Sequence, residues 1–199
     1  MGNKKVYIAS SRPIGDRLKA WAKDNMPKGW ELAVSMEDCQ VFISAMYSKL
    51  IPEEYINERK CFNFHPGILP YYRGSGAFSW ALINNNTHVG ITLHEIDGNI
   101  DHGDIIKIVM WPIVKGDTAE ALYNKGMLII EKMFQEWFEK LLTGEYQATK
   151  QDESKARLYF RKDLDTMKDL TRFVRAFTFE GKDSAYYYNS KGKKICIKT

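Results

Sequence analysis

The stretch CQVFISAMY, residues 39–47, is dominated by apolar side chains. A strand with one wet face alternates apolar and polar residues; a continuous apolar run belongs to a strand covered on both faces. That feature calls for a sheet with layers on each side. KKVYIAS, residues 4–10, and KCFNFH, residues 60–65, read as strands of the same kind. Between the first two runs, SRPIGDRLKAWAK reads as a loop and then a helix, with Leu18, Trp21 and Ala22 at helical spacing and Asp16 favouring its N-terminus. ELAVSM reads as a weaker strand. GAFSWALIN is expected to be helical, with Phe78, Ala81 and Leu82 on one side. VGITLHEI alternates Val89, Ile91 and Leu93 against Gly90, Thr92 and His94, and DIIKIVMWPI is its expected hairpin partner. The loop between them, DGNIDHG, is longer than a minimal hairpin needs, a common sign of function.

A long helix follows. Asp117 is the expected N-cap, with Glu120 at capping-box spacing; Leu122, Ile129, Ile130, Met133, Trp137 and Leu141 form an apolar stripe, and Gly144 is the stop. EYQATKQDESKARLYFRKDLD reads as a polar surface connection, DTMKDLTRFVRAF as a second helix, and SAYYYNSKGKKICIKT as a hairpin around residues 189–192. The order implies an α/β fold with a small C-terminal appendage, a helix plus a β-hairpin. The division falls at residue 144, giving parts 1–144 and 145–199.

A chain of 199 residues can bury its core without a disulfide or metal staple. Three cysteines, Cys39, Cys61 and Cys196, show no CxxC pair and read as buried reduced thiols. The net charge of +4 is spread thinly, with short clusters at Lys4–Lys5 and Lys191 to Lys198, which fits a solvated surface better than a nucleic-acid groove. No run approaches the roughly 20 apolar residues of a membrane span, and MGNKKVYIAS has no signal-peptide character. A cytoplasmic protein with no membrane partner is expected.

All four histidines, His65, His88, His94 and His102, fall between residues 65 and 102. Asn63 and His65 are two apart, so on a strand they share a face. Pro66 cannot donate to a ladder, so the strand leaves the sheet there, and the carboxyl ends of strands in open α/β sheets face the ligand crevice. A capped strand end with a surface histidine is the plain alternative. HEIDGNIDHGD, residues 94–104, offers carboxylates and two histidines, but a calcium-loop alignment puts His102 where glycine belongs and Ile108 where the bidentate glutamate belongs. No HExxH or clean Cys/His spacing supports zinc, so no metal is expected. GxSxG is absent, and ASSRPIG lacks the GxGxxG of a dinucleotide site, although Arg12 there is placed to meet a phosphate.

Two linked stretches, NFHPGILPYYRGSGAFSW and VGITLHEIDGNIDHGDII, resemble the folate-dependent formyltransferase family. Asn63 and His65 fall on its Asn-x-His-Pro, His94 on its Gly-x-Thr-x-His histidine, and Asp101 seven residues beyond. NIDHGDII, GDTAEALYNK and RAFTFEGKDSAYYYNSKGKKICIKT are most similar to the branch of sugar N-formyltransferases acting on nucleotide-linked amino sugars. The resemblance implies a Rossmann-like, mostly parallel sheet flanked by helices. The segment before Asn63 is shorter than the family's usual N-terminal region, so a helix or part of the sheet is expected to be missing.

The resemblance also implies transfer of a formyl group from N10-formyltetrahydrofolate, the cosubstrate, to a primary amine. Asn63 would donate to the oxyanion, His65 would take the proton of the attacking nitrogen or, when protonated, hydrogen-bond to the oxyanion, and Asp101 would orient His65 and favour its protonated form. Met46, Tyr47 and Ile51 would line the folate pocket, with main-chain groups around residues 97–101, Asp97 and Ile100 included. Arg12, Tyr72, Arg73 and Trp80 would touch the substrate. His94 reads as structural, and His88 and His102 as solvated. Alternatives are a formyltransferase on methionyl-tRNA or a purine precursor, and a folate- or nucleotide-binding protein without catalysis. The C-terminal hairpin is a candidate homodimer surface.

Overall fold

A computed structural model describes residues 2–160, 174–180, 186–188 and 194–196. Its centre is a six-stranded sheet. The strands are β1 (Lys4–Ala9), β2 (Trp30–Leu32), β3 (Val41–Ala45), β4 (Lys60–His65), then, beyond the two-residue β5 (Arg73–Gly74), β6 (His88–Glu95) and β7 (Ile105–Pro112). Their order is β2-β1-β3-β4-β6-β7. The first four run parallel, and β6 and β7 continue the sheet antiparallel. The mostly parallel α/β architecture matches the sequence reading.

Successive side chains of β1, β3 and β4 alternate between two apolar clusters, as a strand buried on both faces must. Val6, Ile8, Val41, Ile43, Phe62 and Phe64 enter the larger cluster. There α1 (Ile14–Asp24) and α4 (Ala119–Thr143) pack, the Trp21 ring standing edge-on to Phe134 and Phe138. Ala9, Phe42 and Cys61 enter the smaller one with Cys39 and Tyr55, the latter from α2 (Glu53–Asn57). Toward the carboxyl ends of β3 and β4 this second face changes from apolar to polar: Phe42 gives way to Ser44, and Cys61 to Asn63 and His65. Order β2-β1-β3 also places the reversal of strand order between β1 and β3, where open sheets bind ligands.

Several sequence expectations are corrected. The strand over ELAVSM shrinks to Trp30–Leu32, and the crossover to β3 holds only a 3-10 turn, Met36–Asp38, which accounts for the short region before Asn63. β6 is buried on both faces: the segment after His65 covers it, with Thr92 Oγ1 donating to the Gly67 carbonyl at 2.6 Å and accepting from Leu69 N–H at 3.2 Å. The N-cap of α4 is Thr118, not Asp117; Thr118 Oγ1 accepts from Ala121 N–H at 3.1 Å, while Asp117 accepts from Val114 N–H. Gly144 does end α4, in the left-handed conformation at φ 83°.

The polar connection after Gly144 is no loose surface strand. Residue 149 bridges to Ile105, Tyr146 donates to Glu95, and β8 (Leu158–Tyr159) pairs in parallel with β5. Between β5 and β6 lies α3 (Ala77–Ile83). Cys39 and Cys61 are buried, but Cys196 is exposed, its strand lying outside the main sheet. The closing hairpin pairs β9 (Tyr186–Tyr188) with β10 (Lys194–Cys196); its turn, and most of the second helix expected over residues 165–177, lie outside the described residues. Among the described residues no helix is long and apolar enough to cross a membrane.

Candidate active site

At the carboxyl end of β4, Asn63 stands between two partners on neighbouring strands. Its Oδ1 accepts from Ser44 Oγ at 2.8 Å, and its Nδ2 lies 3.2 Å from Nε2 of His94. His94 is fixed in turn by its Nδ1, 2.5 Å from the Glu95 carbonyl oxygen. His65, two residues on, is buried, with only 4% of its side chain exposed. Its Nε2 lies 2.6 Å from the carbonyl oxygen of Tyr72.

Asp101 reaches the same spot from the loop between β6 and β7. It holds a left-handed φ of 48°, which turns its side chain back toward the sheet. Its Oδ2 accepts from Gly74 N–H at 2.8 Å and lies 3.3 Å from His65 Nδ1; its Oδ1 lies 3.3 Å from Asn63 Nδ2 and 3.5 Å from His94 Nε2. Asp101 therefore stands 3.3 Å from both Asn63 and His65, and the expected trio meets although two distant segments supply it.

Electrostatics set what the trio can do. Burial would raise the Asp101 pKa, but His65, His94 and the Gly74 N–H hold it well below the usual carboxylate range, so it is ionised. Asp101 pulls toward the charged ring as the resemblance implies, but burial outweighs it and sets the His65 pKa below its ordinary value, which corrects the expected preference for the protonated form. A neutral imidazole carries one N–H. The shorter contact assigns it to Nε2, facing the Tyr72 carbonyl, which leaves the Nδ1 lone pair beside the Asp101 carboxylate. A proton arriving between Nδ1 and Oδ2 is held by both, so the pair is a proton acceptor built for temporary occupancy.

The other expected site residues divide. Arg12, Met46 and Trp80 line one cavity of about 380 Å³ together with Pro66, Tyr123 and Asn124. Pro66 and Met46 directly follow the ends of β4 and β3, so the cavity adjoins the trio at the reversal of strand order. Tyr47 and Ile51 pack instead against the smaller apolar cluster, the Tyr47 ring edge-on to Phe42. Tyr72 is buried, stacked on Tyr159 and bonded through its hydroxyl to Asn84; it borders a separate groove with Tyr71 and Arg157.

Arg73 is 8% exposed and its guanidinium is taken up by Gln151 Oε1 and the Glu153 carboxylate, so it braces the loop and is not open to a substrate. Asp97 accepts from His102 and from Asn99 N–H, and Ile100 stands 43% exposed on the same loop. Two contributors escaped sequence reasoning. Ser44 was visible as the lone hydroxyl in an apolar strand; Gln151, in a polar connection, gave no signal. Among the described residues, no group of three or more His, Cys, Asp or Glu is placed to hold a metal ion.

Comparison with known proteins gives consistent results. The sequence profile of the formyl transferase family matches residues 13–136. The methionyl-tRNA formyltransferase of Caldanaerobacter subterraneus subsp. tengcongensis is 33% identical over 119 residues, 59% of this chain; the match spans only 38% of that protein. The dTDP-4-amino-4,6-dideoxyglucose formyltransferase of Mycobacterium tuberculosis is 27% identical over 178 residues, covering 84% of this chain and 75% of the relative. Among solved structures, a sugar N-formyltransferase from Shewanella sp FDAARGOS_354 superposes with a TM-score of 0.84 at 21% identity, over 98% of this chain and 97% of that one. WlaRD, a sugar 3N-formyl transferase solved in the presence of dTDP and 5-N-formyl-THF, gives 0.78 at 23% identity, over 90% of this chain and 81% of that one.

Proposed function

The chain belongs to the formyl transferase family, and on that premise we propose that it moves a formyl group from N10-formyltetrahydrofolate to the primary amine of a nucleotide-linked amino sugar. The observation that carries this reading is the meeting of Asn63 and His65 with Asp101 at the carboxyl edge of the sheet. The match to the dTDP-amino-sugar enzyme runs through most of both chains, whereas the match to the tRNA enzyme stops at a part of it. A folate derivative and dTDP accompany WlaRD, which shares this fold.

The chemistry follows from the donors and acceptors present. The neutral amine attacks the formyl carbon and a C–N bond forms. The formyl oxygen gains negative charge, and Asn63 Nδ2–H stabilises it, giving up its long 3.3 Å contact to Asp101. The proton shed by the attacking nitrogen goes to the Asp101–His65 pair. Asp101, with 13% of its side chain exposed against 4% for His65, is the face of that pair turned to the reactants. As the intermediate collapses, the bond to N10 breaks and that nitrogen takes the proton, leaving tetrahydrofolate and the formamide.

The cavity beside Pro66 suits the amino-sugar nucleotide. Arg12 precedes the N-terminus of α1, and its guanidinium has no partner among the described residues, so it is available to a diphosphate. Trp80 and Tyr123 supply aromatic walls. We place the folate between Met46 and main-chain groups from Asp97 to Ile100, with Tyr47 and Ile51 supporting the segment after β3 from the side of the smaller cluster. We place the catalytic part at residues 1–144 and the extension at 145–199, with Gln151 and β8 reaching back to the site.

Turnover of formyl-tetrahydrofolate with dTDP- and UDP-linked amino sugars tests the reading. Asn63→Ala is expected to lower the rate about 100- to 1,000-fold, and His65→Ala and Asp101→Ala also to be severely impaired. Equal rates in all four proteins, or transfer only to charged tRNA, would overturn it.

A further inference from the structure

Ser44, Asn63 and His94 stand in one row across three adjacent strands. Ser44 pairs with Asn63 between β3 and β4, and Asn63 with His94 between β4 and β6. The hydrogen bonds along the row form a consistent chain. His94 Nδ1 lies 2.5 Å from the Glu95 carbonyl oxygen, which turns Nε2 toward Asn63 Nδ2 at 3.2 Å, and Nδ2 donates to the Asp101 carboxylate at 3.3 Å. The amide oxygen then points the other way, toward the Ser44 hydroxyl that donates to it at 2.8 Å.

A primary amide has nearly the same shape when its oxygen and nitrogen exchange places, so its orientation is set by neighbours alone. Here both ends are specified, by a donor at one and an acceptor at the other. Ser44 is 5% exposed, in a strand whose five residues are all buried. A buried hydroxyl is costly unless bonded, and Asn63 is the hydrogen-bond partner Ser44 has among the described residues.

We propose that Ser44 is a positioning residue for the Asn63 amide: it anchors Oδ1 so that Nδ2 faces the place where the formyl oxygen becomes an oxyanion. The proposal rests on the formyl-transfer reading above and adds to it a residue that acts only through Asn63. Without the hydroxyl, the amide can rotate and turn Oδ1 toward the reacting oxygen, replacing attraction by repulsion between two oxygens. Bound ground-state substrates carry little charge at that atom, so kcat rather than KM bears the loss.

The experiment is a double-mutant cycle on the full chain. Ser44→Ala is expected to lower kcat about 10- to 100-fold, by analogy with side chains that orient the ligands of a metal site, with KM for both substrates within about twofold. Ser44→Thr, which keeps the hydroxyl, is expected to recover most of the rate. In the Asn63→Ala background, Ser44→Ala is expected to cost less than about twofold, because the group it positions is gone. A Ser44→Ala rate within about twofold of wild type, or an equal loss with and without Asn63, overturns the proposal.

A measurement without substrate keeps it separate from the functional reading. The side-chain amide pair of Asn63 in a nitrogen-15 NMR spectrum is expected to shift and broaden in Ser44→Ala, and an unchanged pair overturns the proposal. If wild type turns over no formyl donor, the functional reading fails and the amide signals still decide the role of Ser44. Should Ser44→Ala not fold, Ser44→Cys, with its weak S–H donor, serves in both measurements.

Discussion

Gln151 Nε2 lies 2.9 Å from the carbonyl oxygen of Asp101, and the same nitrogen donates to Gly103 O at 2.7 Å. One amide thus holds both sides of the left-handed turn that aims the Asp101 carboxylate at His65. Its oxygen, Oε1, accepts from Nε and Nη2 of Arg73, so every polar direction of the side chain is used. Gln151→Leu removes two donors and an acceptor at once. The expected cost is about 2 kcal/mol or more, since a deserted buried polar group costs about 1–3 kcal/mol. Urea unfolding reads the stability; turnover is expected to fall with it as Asp101 loses its aim. Unchanged stability would remove Gln151 from the account.

Gly67 sits against the other side of the histidine. A Cβ there would lie 2.5 Å from His65 Nε2 and 2.7 Å from the Tyr72 carbonyl oxygen, the two atoms of the bond that fixes the ring. Gly67→Ala must push them apart. Overpacking of this kind costs about 1–3 kcal/mol. Turnover is expected to fall beyond what the lost stability explains, because His65 swings from Asp101 although no charge has changed. Thermal unfolding and kcat on one preparation check both halves.

At the start of α4, Thr118→Ala is expected to cost about 1 kcal/mol, the usual value of an N-cap side chain. The Thr118 hydroxyl accepts from Ala121 N–H, whereas Asp117 closes the preceding turn on Val114. Comparing the urea midpoint of Thr118→Ala with that of the unaltered chain checks the assignment, and an unchanged midpoint would remove Thr118 as the cap.

That cap shows where local pattern stops being informative. Asp117 and Glu120 satisfy the spacing of a capping box, but the Glu120 carboxylate accepts from Glu180 N–H, a partner no window around residue 120 contains. Arg73 is a like case: Gln151 and Glu153, which occupy its guanidinium, lie 78 and 80 residues away. In contrast, β1, β3 and β4 were legible because a strand buried on both faces must be apolar along its length. Asn63 and His65 were legible because a two-residue spacing ending at Pro66 defines one face at one strand end. Asp101 was legible only through resemblance, since its contact with His65 depends on a loop conformation, φ 48°, that sequence spacing does not dictate. β6 was half legible: its alternation was read, but the cover that the segment after His65 lays over Thr92 was not.

The His65–Asp101 pair also ties stability to pH. Burial dominates the downward shift of the His65 pKa, with Asp101 opposing; burial acts against the downward shift of Asp101, and the charges and N–H around it prevail. For both groups the unfolded chain holds its proton more tightly than the folded one. In such a window stability rises with pH, and acid removes it. The His65 contribution is present above its unfolded value near about 6.5 and fades as pH falls through the lowered folded value. The Asp101 contribution is present above about 3.9 and fades below it. Urea unfolding between neutral and acidic pH is expected to show a monotonic loss of stability on acidification. His65→Gln removes the upper part of that loss, and Asp101→Asn the lower part. A stability that grew between neutral and mildly acidic pH, and lost that gain in His65→Gln, would mean that the folded chain binds the His65 proton more tightly, with the charged ring as its resting form.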